Sequence, residues 1–335
     1  MHIDLPMIWA GIIGLGVFLY VFLDGFDLGI GLLFPFFNAE GDRQIMLNTI
    51  APVWDGNETW MVLGGACLFA AFPVAYGSLL PAVYLPLVAM LCGLIFRGVA
   101  FEIRPKARRT QYLWDLAFMA GSAMASFCQG VILGTLLQGI TIIDGRFAGS
   151  AYGWLTPFSL FCGVGLLATY ATLGCSWLIM KTDGGLQRRI RRMETPLVLV
   201  LLCIIGVVSV WTVLDQPVVA ERWFANHHFL YFAPVPILVV ACIAGILVSN
   251  ARGHDKLPFA FAQAILFLGY SGLLISIFPN IVPPSLTIWA ASSPPSSQKF
   301  ALVGVLIILP IILAYSALSY WVFRGKVRLD DEGYH

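Results

Sequence analysis

The sequence predicts an all-α polytopic membrane protein with nine transmembrane helices, and three observations carry that prediction. The 335 residues are 59% hydrophobic, with a mean hydropathy of +0.86. Only 11% are charged, against about a quarter in soluble domains. Nine apolar windows approach the roughly 20 residues a spanning helix needs, and the basic residues gather on one side of the resulting topology.

The windows run over 7–33, 52–76, 79–97, 112–138, 153–180, 197–214, 229–249, 258–278 and 300–323. Little more than "YGSLLP" parts the second from the third, and charge decides that they are separate. With nine spans, the connections after spans 1, 3, 5 and 7 share a side with the C-terminus. They hold 16 of the 19 Lys and Arg, leaving only Arg146, Arg222 and Lys299 opposite. Cytoplasmic loops carry the basic excess, so the C-terminus is predicted in the cytoplasm and the N-terminus in the periplasm. Merging the two spans would scatter the basic loops over both sides. "MHIDLP" lacks the basic region of a cleavable signal peptide, so none is expected.

All seven cysteines fall inside apolar runs without a CxxC pair, as small hydrophobes do. A faint repeat sets Gly14, Gly16 and Gly25 against Gly163, Gly165 and Gly174 at a constant offset of 149 residues. It suggests two four-helix units, 1–138 and 139–278, followed by 279–335 with an outer loop, a peripheral ninth helix and the cytoplasmic tail. Leu173 then takes the place of Asp24, so only the first unit keeps that acid.

Span 1 contains "VFLDGFDLGIG". Asp24 lies about 5 residues, roughly 8 Å, to the cytoplasmic side of the middle, with Asp27 one turn closer to the cytoplasm. Residues three apart share a helix face, which here also carries Tyr20 and Gly31. Ionisable residues at this depth are costly and face protein or water. Span 2 opens with "APVWDGNETW", where Asp55 and Glu58 are again three apart, beside Trp54, Asn57 and Trp60. An acidic first turn suits the helix dipole, but that alone leaves the matching acids of span 1 unexplained. Together the four acids form a ladder for proton uptake, with Glu58 and Asp55 at the mouth, then Asp27, and Asp24 deepest.

No nucleotide or zinc motif appears, and all five histidines fall in loops, termini or span edges. A b-type haem takes His or Met ligands, and Met90, Met119, Met124 and Met180 read as core filling. The chain is therefore expected to bind no haem itself. The outer segment 279–299, rich in Pro and Ser, reads as an ordered or lid-like surface piece.

"LDGFDLGIG", "IAPVWDGNETW", "LFAAFPVAYG" and "FRGVAFEIR" follow one another in an order and spacing that resemble subunit II of the cytochrome bd-type quinol oxidases. "WDLAF", "LLQG" and "TPFSLFCGV" extend the likeness over essentially the whole chain. "FPNIVPPSLTIWAASSPP" is similar to the cyanide-insensitive branch. The resemblance implies a heterodimer of the bacterial inner membrane, open to small accessory subunits. Subunit I would hold two b-type haems, the d-type haem and the quinol site, while the complex reduces O2 to water and takes up cytoplasmic protons. It also implies a proton path through Asp24 and Asp55, with Trp54 and Asn57 as neighbours. Asp27 and Glu58 enter from geometry as well as the motif.

Arg97 and Glu102, at the cytoplasmic end of span 3, are open to two readings: an anchoring ion pair or a path entrance. Asp115, starting span 4, is open to the same two, with a helix-dipole role favoured. Two rival functions stand beside the oxidase: a proton-coupled secondary transporter, and a purely structural assembly subunit. Matching mid-span interruptions of the transporter kind are not seen.

Overall fold

The computed structural model describes residues 4–224 and 233–328. Among them run twelve α-helices: α1 Leu5–Leu33, α2 Glu40–Asn48, α3 Trp54–Ala71, α4 Pro73–Ala82, α5 Tyr84–Ile103, α6 Gln111–Gln138, α7 Pro157–Lys181, α8 Gly184–Asp215, α9 Pro217–Phe224, α10 Pro234–Arg252, α11 Leu257–Ile277 and α12 Pro295–Val322. Two short antiparallel hairpins complete the fold: β1 Ile142–Ile143 with β2 Arg146–Phe147, and β3 Asn280–Val282 with β4 Leu286–Thr287. Eight helices are long and apolar enough to cross a membrane: α1, α5, α6, α7, α8, α10, α11 and α12.

The helix starts and stops follow from local chemistry. Asp4 caps α1 by accepting the Met7 amide at 3.1 Å. Thr156 and Ser159 form a capping box ahead of α7, with Pro157 in its first turn. Gly253, at φ +76°, closes α10 in the left-handed conformation that glycine adopts without strain.

Three boundaries differ from the sequence expectation. The second window, 52–76, is not one helix: α3 ends at Ala71 and α4 starts at Pro73, which has no N–H to continue the ladder. With Asp55, Asn57 and Glu58 in its first turns, α3 is the expected span missing from the eight. The next helix runs to Ile103 rather than 97, so Arg97 sits inside α5 instead of at its end. Finally, α8 starts at Gly184, drawing residues 184–196 from an expected loop into helix.

The bundle is built around α1 and α7. α1 packs on α3, α6, α7 and α11, whereas α7 packs on α6, α8 and α11. The centre of the α1–α7 crossing is bare backbone: a Cβ on Gly29 would stand 1.9 Å from the Tyr170 carbonyl oxygen, and one on Gly174 2.7 Å from the Gly29 carbonyl carbon. Small residues let membrane helices approach in this way. The main core lies beside this crossing, with Phe26 stacked on Trp177 at 4.1 Å. A second core, where Trp9, Phe72, Ile140 and Val282 meet, is roofed by the β3–β4 segment. The segment 279–299, expected as an ordered or lid-like piece, holds that hairpin. Phe69, Ile95, Phe300 and Ile311 point outward, the exposed apolar surface a lipid-facing bundle presents.

Candidate proton-handling site

Arg97 is the centre of the site. It projects from α5, with its side chain 1% exposed, toward acids on two other helices. Its Nη1 contacts Glu58 Oε1 at 2.6 Å and Asp24 Oδ1 at 3.1 Å, and Nη2 stands 3.8 Å from Asp27 Oδ2. Asp24 and Asp27 are fully buried, whereas Glu58 is partly open, with its side chain 24% exposed. Six residues separate Arg97 from the end of α5, about 9 Å at helical rise, so the guanidinium reaches the acids of α1 and α3 within the bundle.

Neutral groups complete the cluster. Asn57 Nδ2 donates to Asp27 Oδ2 at 2.6 Å and to the Leu23 carbonyl at 3.2 Å. Tyr320 Oη donates to Asn57 Oδ1 at 2.9 Å. Trp54 lies 6.0 Å from the Arg97 guanidinium and 5.2 Å from the Phe101 ring, within cation–π range. One turn from Asp24, Tyr20 Oη accepts from Gln129 Nε2 at 2.7 Å, and Gln129 Oε1 accepts from Tyr170 Oη at 2.8 Å. Asp24 Oδ2 and Asp27 Oδ1 are buried without a hydrogen-bond partner from the protein. Each leaves an open position for a proton or a water.

Of the residues singled out in the sequence, Asp24, Asp27, Asn57, Glu58 and Arg97 thus meet, with Trp54 against them. Asp55, read as part of the mouth, is exposed in the first turn of α3 and makes no ion pair among the described residues, so it lies outside the cluster's direct contacts. Two readings need correction. Arg97 and Glu102 do not pair: five residues apart, they point about 140° from each other around the helix, and Glu102 is exposed. Asp115 does more than face a helix dipole. It accepts from Arg43 Nη1 at 2.7 Å and from Arg104 Nε, in a network that also ties Arg104 to Glu40 and Gln44.

Sequence reasoning missed Gln129, Tyr170 and Tyr320, single polar groups in apolar runs with no pattern to mark them. It also missed Glu194, which is fully buried, accepts from Ser176 Oγ, and accepts from Asn250 Nδ2 at 2.5 Å. The charges beside it made that stretch read as a loop. Of the histidines, His254 is exposed in the turn after α10; His2, His227, His228 and His335 lie outside the described residues.

Comparison with known proteins matches the family model described as cytochrome bd terminal oxidase subunit II over residues 5–323. Cytochrome bd-I ubiquinol oxidase subunit 2 of Escherichia coli K12 is 31% identical over 370 aligned residues, covering 98% of this chain and 96% of the relative. Cytochrome bd ubiquinol oxidase subunit 2 of Bacillus subtilis is 30% identical over 334, covering 97% and 96%. A chain in the structure of bd oxidase from Geobacillus thermodenitrificans shares the fold at a TM-score of 0.74 and 15% identity, over 96% of this chain and 99% of that one. The chain belongs to the cytochrome bd terminal oxidase subunit II family.

Proposed function

We propose that the chain is the haem-free subunit of a quinol oxidase in the bacterial inner membrane, and that it delivers cytoplasmic protons to a haem-bearing subunit I. The observation that carries this reading is the buried cluster of three carboxyls on one guanidinium, Asp24, Asp27 and Glu58 around Arg97. Burying unbalanced charge is costly, so a neutral cluster holds two protons. Glu58, the partly exposed member, takes up the proton. Arg97 Nη1, touching both Glu58 and Asp24, couples the outer acid to the deepest one. Quinol oxidation and reduction of O2 to water belong to subunit I.

Nine spans with a cytoplasmic C-terminus fit this assignment, since the open side of the cluster then faces the basic loops. Two units, 1–138 and 139–278, are supported by pairings that recur between them. α1–α3 is matched by α7–α8, α5–α6 by α10–α11, and α1–α6 by α7–α11. Placing two b-type haems and the d-type haem in subunit I rests on the family resemblance, and Met90 is spent in the apolar core. The outer-segment sequence supports the cyanide-insensitive branch. A proton-coupled transporter has no support from the family found. A structural role keeps one observation in its favour, because Arg97 also ties α1, α3 and α5 together.

Asp24→Asn separates the two. The expected outcome is a complex with its full haem content and quinol-oxidase turnover reduced at least about tenfold. Unchanged turnover at full haem content rejects proton delivery, whereas loss of haem assigns Asp24 to assembly.

A further inference from the structure

Beside the acid cluster, a small cleft opens between α3 and α12. It is lined by Gly56, Asn57, Tyr315, Ser316, Ser319 and Tyr320, and has room for about one water molecule. Three features set it apart from an ordinary packing gap. Its wall is hydroxylic, although α12 otherwise shows lipid a nearly unbroken apolar surface. Its floor is the Asn57 amide, whose other side holds Asp27 at 2.6 Å. Behind the floor, Asp27 Oδ1 is buried with no protein partner.

Tyr320 closes the arrangement. Its hydroxyl donates to Asn57 Oδ1, and its ring meets Phe26 and Trp177 edge-on at 6.4 and 6.1 Å. The ring is thus fixed by the core, and its hydroxyl holds the amide across the cleft. Ser319 Oγ donates to the Pro52 carbonyl at 3.3 Å, joining α12 to the start of α3. Gly56 leaves the wall open, with its nearest neighbour for a Cβ, Tyr315, at 3.8 Å.

We propose that this cleft is the water entrance to the acid cluster, and that the Asn57 amide clamped by Tyr320 is its gate. An amide cannot pass protons through itself at useful speed, so Asn57 works by rotating aside. Water in the cleft then meets Asp27 directly, and the proton passes from water to carboxylate. The entrance opens beside Asp27, on the α12 side of α3, and we take it as the main supply of water to the cluster, Glu58 included. The inference rests on the proton-delivery reading above.

The test uses the purified two-subunit complex carrying Ser316→Cys, treated with a bulky, charged methanethiosulfonate, with the unsubstituted complex treated in parallel. Complete modification, followed by mass spectrometry, is expected to lower quinol-oxidase turnover about tenfold and to leave the unsubstituted complex unchanged. Ser319→Cys repeats the test at the second hydroxyl. Complete modification with unchanged turnover overturns the entrance; where the thiol resists the reagent, Ser316→Trp fills the cleft instead, and unchanged turnover at full haem content overturns the entrance. Asp27→Asn keeps the two levels apart. If it stalls turnover while the labelled complex runs freely, only the entrance fails. If it has no effect at full haem content, the entrance falls, and Asp24→Asn alone decides whether proton delivery stands.

Discussion

Arg97 is where α1, α3 and α5 are held together, and its removal leaves three carboxyls facing one another in a buried site. Breaking a buried pair by deleting one partner costs about 3–5 kcal/mol, because the other charge stays unpaired. Arg97→Met should therefore lower the thermal stability of the complex by that amount. Arg97→Lys should recover only part of it, since one ammonium cannot span three acids as a planar fork does. Calorimetry of the detergent-solubilised complex checks both, and a Met variant as stable as the parent contradicts the assignment of Arg97 as the tie. The acids were legible in the sequence because carboxylates are rare in apolar runs, and so was the common face of Asp24 and Asp27. Their cation was not, because Arg97 and Asp24 lie 73 residues apart and meet at 3.1 Å only once the helices pack. Asp55 shows the limit of spacing alone: three residues from Glu58 gave it a neighbour, but its own side chain is exposed in the first turn of α3.

Two elements show how packing and charge divide the work between helices and connections. At the α1–α7 crossing, Gly29→Leu would drive a side chain into the Tyr170 carbonyl, which is backbone and cannot yield cheaply. The cost should reach about 3 kcal/mol, the upper end for overpacking, and appear as a lower yield of assembled complex. Gly206→Ala, with no neighbour within 4 Å on α8, should assemble normally. At the basic-loop end, the chain after α12 is strapped over the turns α7–α8 and α10–α11. Asp255 accepts from Lys326 at 2.6 Å, from Arg191 at 2.5 Å and from Gln187 at 3.0 Å, and Val327 N donates to the Lys181 carbonyl at 2.8 Å. Burial pushes the Asp255 carboxyl up, but the Lys326 hydrogen bond and the charges of Lys326 and Arg191 outweigh it and hold the carboxyl below its usual value. A carboxyl lowered on folding contributes above its unfolded pKa of about 3.9 and loses that contribution as pH falls through the folded value. The strap should thus hold at neutral pH and release only in acid. Asp255→Asn should release it at pH 7, read as faster tryptic cleavage after Lys326; equal cleavage rates would show that the backbone bonds alone retain it. The strap was invisible in the sequence because Lys326 and Asp255 are 71 residues apart, whereas most helices were read from hydropathy within a few residues, the α3–α4 break and the start of α8 excepted.

At the scale of the molecule, the sequence was informative where one dimension suffices: the apolar windows that become long helices and the ordered motifs that carry the family. It was least informative at α3, whose polar first turns and early stop at Pro73 fall between a spanning helix and a site-bearing one. The same polar turns explain why the chain is expected to work only beside a partner. They bring Glu58 to a buried arginine and Asn57 to the acids around it, groups that move protons and carry no redox centre of their own. If the redox centres lie in subunit I, an optical spectrum of the purified complex should show b- and d-type haem bands, while this chain purified alone should show none. The control is the Asp24→Asn complex, whose spectrum should match that of the parent even as its turnover falls. Haem bands in the isolated chain would move a redox centre into this subunit. They would require axial ligands from the methionines or from histidines outside the described residues, and the acids around Arg97 would then stand beside the chemistry rather than upstream of it.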